Sequence, residues 1–298
     1  MRTTAASAAS APQVRGAADN GPQPAPGSQP SAGLAHLPVG VFATVMGIGG
    51  TSLAWRWAVP TLHAPTAIAD LLAWTALGVF ILVSATYLTK VVRHPAAVRA
   101  EWRHPVALAF APTSSIAVLL LATAFWEILP GLSAVLWWVG AAAQLILTLD
   151  VLRVWIADQR FQPQHVHPAW FIPVVGNLVV PLAGVRHAGV EVSWFFFSVG
   201  AVYWLALLAV VLNRLFVGGE LPSALAPTLA VLIAPPAVGA LSWHALGGTA
   251  HDPFGQILLN VAFFQALLLL TQVRQLARIP FAFPSWALSF PLAGLAAA

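Results

Sequence analysis

The sequence predicts an all-α integral membrane protein, built as a ring of tandem helical hairpins whose proline-kinked inner helices surround a central pore. Three observations predict it. Only 7% of the 298 residues are charged and 59% are hydrophobic, whereas a soluble domain carries about 25% charge. So few charges could not cover the surface of a water-soluble globule. The mean hydropathy is +0.83, and the apolar residues come in long runs. Each run approaches the roughly 20 residues with which a helix crosses a hydrocarbon core of about 30 Å. Proline, finally, recurs on alternate runs. The chain has no cysteine, which excludes disulfides, thiolate zinc sites, iron–sulfur clusters and cysteine nucleophiles. The pI near 10.7 rests on 13 basic residues. Their one-sided placement in a membrane accounts for them without a nucleic-acid partner.

In chain order, residues 1–36 are rich in Ala, Ser, Pro and Gly and read as a disordered tail, since they bury too little to offset the entropy of ordering. Arg2 is followed by no apolar region, so the tail is not a signal peptide. The transmembrane domain then occupies 37–298, with apolar runs at 38–57, 67–90, 106–128, 131–156, 169–186, 191–213, 223–245, 254–273 and 282–298. Lys90, Arg93, Arg99, Arg103, Arg153, Arg160, Arg214, Arg274 and Arg278 fall on one side together with Arg2 and Arg15 of the tail. Arg56 and Arg186 fall on the other. Such a bias places the tail and the even-numbered loops in the cytoplasm. Trp55, Trp57, Trp126, Trp155, Trp170, Trp194 and Trp243 lie near run ends, as interfacial anchors do. Nine runs leave the C-terminus outside. The last reaches Ala298 with no polar flank, as in a chain cut short of a ten-helix parent.

Proline supplies the repeat. The third run has Pro112, the fifth Pro173 and Pro181, the seventh Pro227, Pro235 and Pro236, and the ninth Pro284 and Pro291. The first has Pro38 at its cytoplasmic end, and the even-numbered runs have none in their interiors. Proline removes a backbone donor and kinks a helix, and in lipid the freed carbonyl must be served by protein or by water in a cavity. Kinked helices therefore belong inside and straight ones outside. The wording recurs as Phe110-Ala-Pro112, Phe171-Ile-Pro173, Ile233-Ala-Pro235 and Ser289-Phe-Pro291, often with a following glycine (Gly176, Gly239, Gly294). These are repeated hairpins, each with one inner and one outer helix.

Little chemistry sits between them. Asp70 and Glu127 lie at run ends, and Asp150 lies one turn from Arg153, in reach of a local ion pair. The 9 histidines fall in loops or at run ends, with no facing pair that could hold haem or a di-metal centre. His165 and His167 read as a solvated loop. Gly47, Gly49 and Gly50 form a small-residue face suited to close helix packing. No cluster of convergent polar groups at one depth is apparent, so an enzyme is not expected, nor is a cofactor or a metal site. A conduit without carboxylate rings does not draw cations, while helix breaks leave positive half-helix ends that favour anions.

Further residues carry a resemblance. Leu37-Pro-Val-Gly-Val-Phe42-Ala43-Thr-Val-Met-Gly47 with Ser52-Leu-Ala-Trp55, His167-Pro168 running into Phe171-Ile-Pro173, Ala226 to Pro235, and Trp286-Ala-Leu-Ser-Phe290-Pro291-Leu-Ala resemble the family of the bacterial tellurite-resistance protein TehA. That family also includes plant slow anion channels and fungal dicarboxylate transporters. The resemblance covers about residues 37–298. It implies ten helices in five tandem hairpins, a quasi-fivefold ring, a homotrimer with one pore per subunit, and a phenylalanine gate that by motif is Phe290. Phe42, Pro112, Pro173 and Pro235 match its pore-helix pattern, which makes Phe42 and Ala43 the pore-lining candidates, and Ala43 stands where relatives often have glycine. Against that count of ten, the tenth helix is expected to be missing from the chain's nine runs. The expected function is passage of small anions through a bacterial inner membrane, gated by Phe290. The alternative is proton-coupled transport of C4-dicarboxylates or tellurite oxyanions, with Asp150 or Glu127 as the nearest titratable groups.

Overall fold

A computed structural model describes residues 33–158, 161–279 and 283–298, without the side chains of Phe283 and Pro284. Arg160 and most of the tail assigned to residues 1–36 lie outside the described residues, while Leu34–His36 forms a short 3-10 turn. The spans are α1 (Ala43–Leu62), α2 (Thr66–Arg93), α3 (Thr113–Phe125), α4 (Pro130–Ala157), α5 (Ile172–Val179, continued past Val180 by Pro181–His187), α6 (Gly189–Val217), α7 (Ala234–Ala245), α8 (Pro253–Thr271) and α9 (Ser289–Ala297). Seven of the described helices are long and apolar enough to cross a membrane. The first span runs further than its apolar run implied, through Pro60 to Leu62, and ends at His63 in the left-handed region, φ 51°. A surface helix, Pro95–Arg103, links α2 to α3.

Every odd-numbered span opens with a 3-10 turn: Val39–Phe42, Ala107–Phe110, Pro168–Phe171, Ser223–Ile233 and Phe283–Leu288. Proline explains the tightening in three of them. An α-helical proline at position i leaves the carbonyl of i−4 without its donor. Pro112, Pro173 and Pro235 would orphan Leu108, Ala169 and Val231. Instead the N–H groups of Ala111, Ile172 and Ala234 reach those same carbonyls in the shorter 3-10 register. At these three prolines the kinks read from sequence are thus changes of helical pitch, and the freed carbonyls are satisfied within the chain.

Proline-bearing spans do lie inside. Over the most apolar stretch of each, 83%, 94% and 72% of the residues of α3, α5 and α7 are buried, against 22%, 33%, 28% and 22% in α2, α4, α6 and α8. The odd spans form a closed circuit: α1 packs on α3, α3 on α5, α5 on α7, α7 on α9, and α9 back on α1. Each even span backs the odd span before it and touches the next one. Their outward faces carry exposed Leu, Ile, Val and Phe, such as Leu82, Ile146, Leu205 and Phe264, as lipid requires. The glycine face of α1 closes the circuit. A Cβ at Gly47 would overlap the Ser289 hydroxyl of α9, and one at Gly50 would lie 3.0 Å from the Phe290 ring.

Polar residues lock the inner spans to the outer ones. Gln144 and Thr148 of α4 donate to the Pro173 carbonyl at 2.8 and 2.9 Å, and Ser115 of α3 donates to Gln144 Oε1 at 2.7 Å. Asn177 of α5 donates to Thr148 Oγ1 at 3.0 Å. All four side chains are buried. This corrects the reading that no polar groups converge at one depth. The residues come from three helices, and their hydrogen bonds converge around a carbonyl at the head of α5. Gly176 admits the Gln144 amide against the backbone of α5. Ser242 of α7 likewise donates to the Leu178 carbonyl of α5.

At the end away from the 3-10 turns, Arg56 binds Asp70 at 2.6 Å and Glu127 at 3.2 Å. Asp252 caps α8 there, accepting from the Gly255 and Thr249 N–H groups at 2.7 and 2.8 Å and from Trp243 Nε1 at 2.8 Å. The Gly255 bond, then the Thr249 bond, hold its carboxyl down at about 2 from an ordinary 3.8. A depressed carboxylate contributes stability that is full above its unfolded pKa and is lost as pH falls through the folded one. Amide exchange at Gly255 and Thr249 is therefore expected to quicken, relative to the rest of the chain, between pH 4 and about 2. Asp252→Asn should abolish that pH dependence.

Candidate conduction pathway

All five odd spans meet at a cavity of about 130 Å³ on the axis of the circuit, at the end that carries the 3-10 turns. Its wall includes Val39, Gly40, Ala43 and Met46 from the first span, Phe110, Thr113 and Ile116 from the third, and Ile172 and Val175 from the fifth. Val231 and Ala234 of the seventh and Trp286, Phe290 and Pro291 of the ninth complete it. Met46, Ile116 and Val175 each sit three residues into their α-helices. First turns of α-helix thus face the cavity from every inner span. The partial positive charge of a helix N-terminus concentrates in that turn. The wall is almost wholly apolar, with one charged residue among the lining, Glu101.

Phe290 is buried, lines this cavity, and rests against Gly50. Pro291 beside it also lines the cavity, while Pro112, Pro173 and Pro235 set the pitch change behind the wall. Ala43 lines the cavity. Gly50, which touches the Phe290 ring, lies two turns beyond it on α1. Phe42 is a correction. Its ring packs on Phe80 and Tyr87 of α2, both at 6.0 Å. Successive helical side chains point about 100° apart, so when Ala43 turns to the axis Phe42 turns to the outer helix.

Asp150 pairs with Arg153 at 2.6 Å on α4, as its spacing suggested, and neither it nor Glu127 lines the cavity. His167 is another correction. It is fully buried, its ring stacked on cavity-lining Phe110 with centroids 6.0 Å apart. Its loop is covered because His167 heads the 3-10 turn of α5 and follows that span into the wall. No group of metal-ligating residues occurs among the described residues.

The residue that the sequence did not single out is Glu101. It stands on the linker helix, and its carboxylate receives Lys90 Nζ at 2.7 Å, the Tyr87 hydroxyl at 3.0 Å and the Val39 backbone N–H. Lys90 also donates to the Leu37 carbonyl at 2.7 Å. Its position, counted from sequence as loop, is the last turn of α2, and its side chain is buried.

Five pitch-changing spans around an axial cavity, shielded by straight apolar ones, define a multi-pass helical membrane protein organised about a central passage. Over residues 36–298 the chain matches the SLAC1 family, described as voltage-dependent anion channels, and it belongs to that family. This is a family of channels and transporters rather than enzymes. Among relatives, the S-type anion channel SLAH2 of Arabidopsis thaliana is 27% identical over 89% of this chain and 52% of its own length. An uncharacterized transporter of Methanocaldococcus jannaschii is 30% identical over 84% of this chain and 80% of its own. The guard cell S-type anion channel SLAC1 of Arabidopsis thaliana is 25% identical over 87% of this chain and 48% of its own. The chain thus spans about half the length of these two plant relatives.

Proposed function

We propose that this protein passes small anions along the axis of its helical circuit and that Phe290 closes the path. The observation that carries this reading is the seat of Phe290. It is an aromatic ring on the axis, at the cavity where the positive ends of the inner helices gather. Helix N-termini favour anions, and the apolar wall offers cations no carboxylate ring. Lys90, Arg93, Arg99, Arg103, Arg153, Arg214, Arg274 and Arg278 mark the cavity end as cytoplasmic by the positive-inside bias. The same bias supports a cytoplasmic N-terminus. The resemblance to a bacterial transport family supports an inner-membrane location and a homotrimer with one path per subunit.

Reversal potentials in liposomes test the reading. Replacing chloride by nitrate or formate on one side is expected to shift the potential, and replacing potassium by sodium is not. A shift with the cation alone would defeat it. Proton coupling through Asp150 or Glu127 draws no support from the geometry, because both lie off the cavity and are paired with arginine. Flux is accordingly expected to be the same with and without an imposed pH gradient.

A further inference from the structure

Three donors from two elements converge at the lip of the cavity: Lys90 Nζ and the Tyr87 hydroxyl from α2, and the Val39 N–H from the turn that opens the first span. A first-turn N–H has no partner within its own helix, so the Val39 amide needs an acceptor from outside. The acceptor that fills this cradle is the carboxylate of Glu101, delivered by a separate surface helix. The site is closely built. The Lys90 side chain is 3% exposed and that of Glu101 10%. Lys90 is held by the Leu37 carbonyl as well, so its ammonium keeps its place when the carboxylate leaves. Val39 and Glu101 both line the cavity, next to Pro38 and Gly40.

We infer that Lys90, Tyr87 and the Val39 amide form an anion-binding site at the mouth of the pathway, occupied in this structure by the chain's own Glu101 carboxylate in place of a small free carboxylate or comparable anion. This inference deepens the anion-passage reading and names where the anion first docks. Charge-assisted bonds to a carboxylate are short and strong, and a buried ammonium that loses its partner carries a large desolvation cost. Withdrawal of the linker helix therefore leaves a cradle that draws a replacement anion from solution. The tethered carboxylate competes with the permeant one, and loosening the Pro95–Arg103 helix raises occupancy by the latter. That helix carries Arg99 and Arg103 on its exposed side.

The test uses the full chain, with formate as the probe and two readouts. In detergent, formate is expected to raise the melting temperature of Glu101→Ala while leaving the native protein unmoved. In liposomes, the half-saturating formate concentration of Glu101→Ala is expected to fall about tenfold, the equivalent of one good interaction. Lys90→Met combined with Glu101→Ala should lose both effects. Glu101→Gln keeps the shape and removes the charge, and serves where the alanine variant does not fold. Stabilisation by formate without any change in flux supports the site and counts against anion passage. A well-folded Glu101→Ala or Glu101→Gln protein that formate does not stabilise overturns the inference. So does equal stabilisation of the double variant.

Discussion

Replacing Phe290 with alanine is expected to raise anion flux through the reconstituted protein by about tenfold for each 1.4 kcal/mol that the ring adds to the barrier. The ring is buried, lines the axial cavity and leans on Gly50. Removing it joins a cavity of about 130 Å³ to the volume the ring leaves. The variant gives up contacts, and large-to-small changes at aromatic core positions cost about 3–5 kcal/mol when the site is fully packed. Here one face of the ring already borders open space, so the cost falls at or below the bottom of that range and the protein is expected to remain folded. Phe290→Leu, with intermediate bulk, should give intermediate flux. Monodisperse Phe290→Ala protein whose anion currents match those of the native chain would show that the constriction lies elsewhere.

Much of this architecture was legible because its signals are one-dimensional. Alternation of proline between runs is readable without knowing a single contact, and so is the one-sided placement of arginine and lysine. Both follow from the membrane's refusal of unsatisfied backbone and charge. The burial contrast between α3 and α2, or α5 and α4, is the three-dimensional form of the proline count. The Asp150–Arg153 pair was equally accessible, since three residues along a helix bring side chains together. The Glu101 cluster at the lip of the cavity was not legible. Glu101 and Lys90 are separated by a turn between helices, and nothing in the spacing of one specifies the other. The Ser115–Gln144–Thr148–Asn177 lock had a faint trace in the i,i+4 pair Gln144 and Thr148 on a span that otherwise reads as lipid-facing. Two polar residues one turn apart on such a span need partners inside the protein. That signal pointed to a buried face, although not to Pro173 as its target. Phe42 was misassigned because motif matching identifies a turn of helix but not which of two adjacent side chains faces the axis.

The seam between α1 and α9 yields the largest expected loss of stability. Gly47→Ala is expected to destabilise the protein by about 1–3 kcal/mol, as overpacking of a filled interior does, and Gly47→Val by more. A Cβ there would overlap the Ser289 hydroxyl, lie 2.9 Å from Ser289 Cβ and stand 3.2 Å from the Trp286 ring. Ser289 has little room to yield, because its hydroxyl donates to the Trp286 carbonyl at 2.7 Å in the turn that opens α9. The consequence reaches beyond one contact. This seam joins the first span to the last and completes the circuit, so spreading it separates helices that nothing else in sequence holds together. Gly78, on the outward side of α2, provides the control. A Cβ at Gly78 meets nothing within 4 Å, and Gly78→Ala should be neutral or stabilising by up to about 1 kcal/mol through helix propensity alone. Melting in detergent distinguishes the two. The argument has an internal check in Ser289→Gly, which removes both atoms that the new methyl would strike. Combined with Gly47→Ala, it should restore more of the melting temperature than the separate effects of the two substitutions add up to. If the double variant melts no higher than additivity allows, close approach at Gly47 is not what closes the ring.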